Sequence, residues 1–370
     1  MTKVQQIIET DKCRRDFSPA FSPATALLAA VILLNGCGNP SKNRDVSKEF
    51  PFGKVEIQGL SGAACAAPGY IAEAKGFFAA EGIDVTLVSG TFETNKTGLA
   101  SGKFPIAIGD FQYFPSANEG LDIKLVGGLH EGCIKLLVPP GSSIREGKDL
   151  VGKRIGVDEI GGSPMAITSV FLAHHNINPV NGVEWLPFPG DQLQAVAEKG
   201  EVDAVALWDP FGALAIRKGY HVLCDIGEHP LFAGKYCCFL YVSGKQLKEN
   251  PERIKAILRA YHKAGEWVSA HPEETAKILV EKGYVAADDP ELIAELIESY
   301  RYHAKHGAKT RLKAKEDALY FTNELKRTGF LPADLDAHSF VDKLYYELKV
   351  EDEENAAEGH SSNEVKPAHN

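Results

Sequence analysis

Apolar positions in this chain come in short runs, and amphipathic stretches separate most of them. Residues 55–60, 85–88, 106–108, 123–126 and 134–138 have the length and composition of strands. Residues 70–80 fit a helix that Gly82 closes as a C-terminal glycine. A second set follows, with strands predicted at 154–157, 183–186, 204–207 and 221–224 and helices at 164–174, 193–199 and 214–218. One more strand is predicted at 239–242, after which the pattern turns helical. Asn250-Pro251-Glu252 reads as a helix start, with Asn as N-cap and Pro at the first helical position. That helix runs to about Ala270, where His271-Pro272 breaks it, and two or three more helices reach about Leu348. Strands alternating with helices predict an α/β architecture with parallel sheet. Two such units and a helical return predict a bilobal α/β fold: two open sheets, crossings near 138–141 and 234–241, and C-terminal helices packed back onto the first lobe. Ligands bind beyond the carboxyl ends of strands in such sheets, and two facing lobes make a hinged cleft.

The first forty residues are of another kind. Lys12, Arg14 and Arg15 precede an uncharged run at 24–34, the pattern of an export signal. The run is shorter than the roughly 20 apolar residues that span a bilayer. It ends in Leu34-Asn35-Gly36-Cys37, which resembles the bacterial lipobox, whose Cys becomes the lipidated first residue, although Asn35 is unusual at its position. An ordinary cleaved signal and an uncleaved anchor stay open beside the lipoprotein reading. The expected organisation is a signal peptide at 1–36, a lipid-anchored linker at 37–53, the first part of lobe 1 at 54–139, lobe 2 at 140–234, the return to lobe 1 with C-terminal helices at 235–350, and a disordered tail at 351–370. The tail has six acids and one Lys and little apolar surface to bury. Net charge is -10, and the absence of a basic cluster argues against a nucleic-acid partner. Of seven cysteines, Cys13 leaves with the signal and Cys37 takes the lipid. The remaining five, Cys65, Cys133, Cys224, Cys237 and Cys238, are an odd number in a long chain and imply no disulfide framework.

Several segments then appear in a characteristic order: Pro68-Gly69-Tyr70-Ile71-Ala72, Lys75-Gly76-Phe77-Phe78, Glu81-Gly82-Ile83-Asp84-Val85, Gly109-Asp110, Gly120-Leu121-Asp122-Ile123-Lys124, residues 149–157 and residues 200–211. Together, over roughly 55–280, they resemble the nitrate/sulfonate/taurine-type solute-binding proteins, which share a fold with thiamine-pyrimidine precursor binders. The resemblance implies a periplasmic-binding-protein-like (type II) fold without enzymatic activity. It also implies capture of a small-molecule solute (a sulfonate, a nitrate-like anion or a pyrimidine-type heterocycle) and delivery to the permease and ATPase subunits of an ABC importer. The protein is expected to act as a monomer in the cell envelope, held on the extracytoplasmic side of the membrane through Cys37.

Loops after strands supply the candidate ligand contacts. Gly161-Gly162-Ser163-Pro164 opens a helix whose backbone N–H groups and Ser163 hydroxyl could hold an anion. Ser61, Gly62 and Ala63 could do the same, and both segments are equally ordinary helix starts. Phe92, Phe111, Tyr113, Trp208 and Phe211 could stack on a flat ring or belong to the core. Glu93, Asp110, Glu131, Asp158, Glu159, Asp191 and Asp209 would repel a sulfonate if several faced the cleft, so the solute's charge stays open. Tyr236-Cys237-Cys238-Phe239 resembles part of the Cys-Cys-Cys-Phe-Cys motif of the iron-dependent thiamine pyrimidine synthases of this fold, with Tyr236 and Leu240 in place of its outer cysteines. An enzyme or iron-binding relative using Cys237 and Cys238 is therefore the alternative. Adjacent strand residues face opposite sides, so at most one thiol faces the cleft, and Cys133 and His130 could join it. The residues expected at the ligand are Ser61, Gly62, Ala63, Phe92, Asp110, Phe111, His130, Gly162, Ser163, Pro164, Asp191, Trp208, Asp209 and Cys238. No cofactor, metal set or catalytic residue is assigned.

Overall fold

A computed structural model describes residues 50–59, 62–302 and 308–350. The expected signal, Cys37, most of the linker, Ser61 and the acidic tail lie outside the described residues.

Two α/β lobes are present. In the first, β1 (Lys54–Gln58) pairs in parallel with β2 (Asp84–Val88). A three-stranded sheet holds β3 (Ile106–Gly109) and β4 (Ile123–His130) on either side of β10 (Cys238–Ser243). The second lobe has one five-stranded sheet made of β5 (Ile134–Val138), β6 (Arg154–Val157), β7 (Glu184–Pro187), β8 (Ala204–Trp208) and β9 (His221–Asp225), in the order β7-β6-β8-β5-β9.

The expectation of parallel sheet holds only in part. β6 runs parallel to β7 and β8, but β5 is antiparallel to β8 and β9, and β10 is antiparallel to β3 and β4. These two reversed strands are the ones by which the chain changes lobe. Every residue of β5 and β10 is buried, as suits strands inside a sheet. Because β5 belongs to the second sheet, the first crossing falls at 131–133, between β4 and β5, and not near 138–141.

Local chemistry explains other departures. The helix expected at 70–80 is two, Ala67–Ala74 and Phe77–Ala80, because Gly76 takes a positive φ of 74° that L side chains rarely adopt. The helix Pro251–Ala270 starts where expected, but the Asn250 side chain donates to Gln246 Oε1 at 3.2 Å and caps nothing. The C-terminal helices pack on both lobes. Helix Ala308–Thr328 lies against β4 and also against the second-lobe helix Ser163–His174, where His174 Nε2 meets Glu324 Oε2 at 2.7 Å. Asp317 of the same helix accepts the Tyr236 N–H at 2.9 Å, just before the chain enters β10.

Candidate functional site

A cavity of about 260 Å³ lies where the strand ends of the two lobes meet. That is small for a ligand pocket and suits a solute of one ring or a few heavy atoms. From the first lobe come Gln58 at the end of β1, Ala63 and Cys65 in the turn that follows, the 90–95 segment, Gln112, Tyr113 and Cys238. The second lobe contributes Cys133, Ile134, Asp158, Glu159, the 162–164 helix start and Trp208.

The 90–95 wall is held in place by short-range bonds. Helix Phe92–Ser101 is capped by Thr91, whose hydroxyl accepts the Thr94 N–H while Thr94 Oγ1 accepts the Thr91 N–H. Gln58 donates from Nε2 to the Thr91 carbonyl at 2.9 Å and accepts from Thr94 Oγ1 at 2.9 Å. A side chain on Gly90 would collide with these groups, since its Cβ would stand 2.3 Å from Thr94 Oγ1. Glu159 reaches across from the second lobe and accepts the Phe92 N–H at 3.0 Å. A second link joins the lobes where the Ala64 N–H donates to the Asp209 carbonyl at 3.2 Å.

Two carboxylates and three aromatic rings stand on the wall. Among the described lining residues there is no Lys, Arg or His, while Asp158 and Glu159 are both present. Burial pushes the Asp158 carboxyl up, against the Trp208 indole N–H that donates to its Oδ2 at 2.8 Å. Asp110, fully buried, is pushed by desolvation up to about 7, although the Gln112 N–H and the Ser163 hydroxyl both favour its charged form. Its Oδ1 accepts the Gln112 N–H at 2.7 Å, and its Oδ2 has no hydrogen-bond partner among the described residues. Phe92 meets Tyr113 edge-on at 4.9 Å, and Trp208 lies 4.9 Å from Phe211. Asn95 Oδ1 and the Tyr113 hydroxyl are buried without partners among the described residues, and both residues line the cavity. Buried polar atoms are nearly always satisfied, so these two offer contacts to a solute.

Of the residues expected at the ligand, Ala63, Phe92, Gly162, Ser163, Pro164, Trp208 and Cys238 line the cavity. Ser61 lies outside the described residues, and the other six stand elsewhere. The Gly62 carbonyl accepts the Ala286 N–H at 3.0 Å in a local bridge. Phe111 stacks on Phe321 in the core at 4.2 Å. Asp191 is on the exposed surface. Asp209 is wholly buried and ion-paired to Lys135 at 2.6 Å, with Asp225 3.6 Å from the same Nζ. The two acids hold the Lys135 ammonium protonated despite its burial. Asp110 and His130 are buried and do not reach the cavity wall. Gln58, Cys65, Asn95, Gln112 and Ile134 line the cavity without having been singled out as contacts. Gln58 ends a strand and Asn95 lies one helical turn from Phe92, so both carried a local signal.

Cys65, His130, Cys133 and Cys238 also converge, their donor atoms all within 4.8 Å of one another. The Cys133 and Cys237 sulfurs are 3.1 Å apart. The thiols of Cys133 and Cys238 hold Cys65 well below the usual thiol range, whereas burial pushes Cys237 up.

Two lobes meeting at a strand-end cavity define the class of two-lobed solute-binding folds, and comparison with known proteins agrees. The chain belongs to the NMT1/THI5 like family, which matches residues 64–275, more than half of its length. It is 28% identical to a Bacillus subtilis protein assigned to aliphatic sulfonate binding, covering 68% of this chain and 75% of the relative. It is 25% identical to the 4-amino-5-hydroxymethyl-2-methylpyrimidine phosphate synthase of Schizosaccharomyces pombe, over 78% of this chain and 84% of that one. The crystal structure of the periplasmic nitrate-binding protein NrtA from Synechocystis superposes with a TM-score of 0.64 at 18% identity, covering 84% of this chain and 89% of that one. The fold is periplasmic-binding-protein-like. Among the described residues no helix is long and apolar enough to cross a membrane.

Proposed function

We propose that the chain is an extracytoplasmic solute-binding lipoprotein that captures a small molecule between its lobes and delivers it to an ABC importer. In this reading the lipid on Cys37 holds a monomer at the membrane. Of the solutes the family resemblance suggests, the lining favours a flat, neutral or cationic pyrimidine-type heterocycle. The observation that carries this choice is a wall that, among the described residues, has two carboxylates, three aromatic rings and no cationic side chain. An anionic sulfonate or nitrate would meet Asp158 and Glu159 with no Arg or Lys among the described wall residues to offset them. A ring could lie among Phe92, Tyr113 and Trp208, with its donors toward Asn95 and the two acids. Isothermal titration against aminopyrimidines, aliphatic sulfonates and nitrate tests the proposal. Saturable one-to-one binding of an aminopyrimidine is expected. Binding of only the anions overturns the solute class, and no binding across the panel overturns the solute-binding role. Cys37→Ser is expected to move the chain from the membrane fraction to the soluble envelope fraction, and retention at the membrane overturns the anchor.

The synthase alternative draws on the pyrimidine phosphate synthase relative and on the thiol cluster. Against it, the cavity wall has no Lys or His among the described residues, and Tyr236 and Leu240 interrupt the cysteine motif.

A further inference from the structure

Three chain segments that are distant in sequence bring four donors together, three of them on the cavity wall and His130 just behind it. Cys65 comes from the turn after β1, His130 from the last residue of β4, Cys133 from the residue before β5, and Cys238 from the first residue of β10. All four side chains are buried, with His130 at 0% exposure. Burial alone does not single out a thiol, because free cysteines often pack in cores. Two further observations do. The four donor atoms lie within 4.8 Å of one another, and both ring nitrogens of His130 lack a hydrogen-bond partner among the described residues. A buried imidazole without a partner is rare and costly, and ligation of an ion by one ring nitrogen would relieve it. Three sulfurs and one imidazole also make a donor set that zinc favours in tetrahedral sites. With Zn–S near 2.3 Å, tetrahedral ligand atoms stand about 3.8 Å apart. The observed spread therefore needs side-chain adjustments of about 1 Å at most. Cys65, Cys133 and Cys238 also line the cavity, which gives an ion a way in.

We propose that Cys65, His130, Cys133 and Cys238 form a four-ligand zinc(II) site in the cavity floor. On binding, the cysteines release their protons to solvent, His130 ligates as neutral imidazole, and no electron is transferred. Cys237, 3.1 Å from Cys133, lies outside this ligand set. The site goes beyond the solute-binding reading and does not depend on it, so its test uses no solute.

The full chain is to be purified reduced and without oxygen, stripped with a chelator, and titrated with zinc chloride against a chromophoric zinc indicator. One equivalent per chain is expected, together with raised thermal stability. Cobalt(II) in place of zinc is expected to give the intense visible bands of a tetrahedral thiolate site, a readout that needs no variant. Cys65→Ser and His130→Asn, each checked for folding by circular dichroism, are each expected to weaken zinc by more than about 100-fold, beyond what an outer-shell change costs. Cys224→Ser, at a buried thiol outside the cluster, is expected to leave the titration unchanged. Less than one equivalent of zinc, an octahedral cobalt spectrum, or unchanged affinity in a folded Cys65→Ser or His130→Asn chain overturns the site. Iron(II) outcompeting equimolar zinc overturns the choice of metal.

Discussion

Replacing Asp110 with Asn isolates the cost of a buried acid beside the cavity. In the folded chain desolvation raises this carboxyl from its ordinary 3.8 to about 7. Below about pH 4 the group is protonated whether the chain is folded or not, and it costs the fold nothing. As pH rises toward 7 the unfolded chain gives up its proton while the folded chain keeps it, so stability falls through this window. Above about 7 both states are ionised and the whole penalty is present. At about 1.4 kcal/mol per pH unit the penalty reaches about 4 kcal/mol, of which about 3 kcal/mol develops between about pH 5 and pH 8. Asn keeps an oxygen for the Gln112 N–H and carries no charge at any pH. Urea unfolding of both proteins, followed by tryptophan fluorescence at about pH 5 and pH 8, gives the difference directly. Relative to Asp110→Asn, the wild type is expected to lose about 3 kcal/mol over that interval. Parallel pH profiles would refute the reasoning, because they would mean that the acid is ionised at no cost, through water or a cation near its unpartnered Oδ2.

Lys135→Met leaves Asp209 buried and without its closest cation, and is expected to cost about 3–5 kcal/mol in urea unfolding. The double change Lys135→Met with Asp209→Leu should recover most of that loss, and a single variant as stable as wild type would show the pair to be unimportant. Gly98→Ala would place a Cβ 2.0 Å from Phe104 Cδ2, so a loss of about 1–3 kcal/mol by thermal unfolding is expected, whereas an unchanged melting temperature would show that Phe104 can move aside. Trp208→Ala removes a ring from the cavity and the donor to Asp158, and is expected to weaken solute binding about tenfold by calorimetry with little change in fold. Unaltered affinity would place the solute elsewhere.

Much of the architecture was legible because period and length are local properties. The apolar runs of β5, broken only by Lys135, and of β10 read as strands, and Asn250-Pro251 marked a helix start. Direction and partnership are not local. Nothing within Ile134–Val138 states that it runs antiparallel to Ala204–Trp208 in the second sheet, so the first crossing was expected several residues too late. At the cavity, the rule of strand ends pointed to loops of which most border it, but not to the residues within them that turn inward. Asp158 and Asp191 both follow strands, yet the first lines the cavity and the second faces solvent. Trp208 suited a buried strand end as well as a cleft wall, and only the neighbouring lobe decides between them. The thiol cluster was least legible, since Cys65, His130, Cys133 and Cys238 meet only once both crossings are formed.

The placement of β10 bears on how the molecule assembles. β3 and β4 do not pair with each other, and the strand that joins them arrives about a hundred residues after β4, once the entire second sheet has passed. A chain made from its N-terminus can therefore finish the later lobe while the earlier one still shows two unpaired strand edges. Such edges are templates for pairing with other chains. Nascent copies are thus most exposed to aggregation while residues 130–238 are emerging, and a holding chaperone would act on β3 and β4 in that interval.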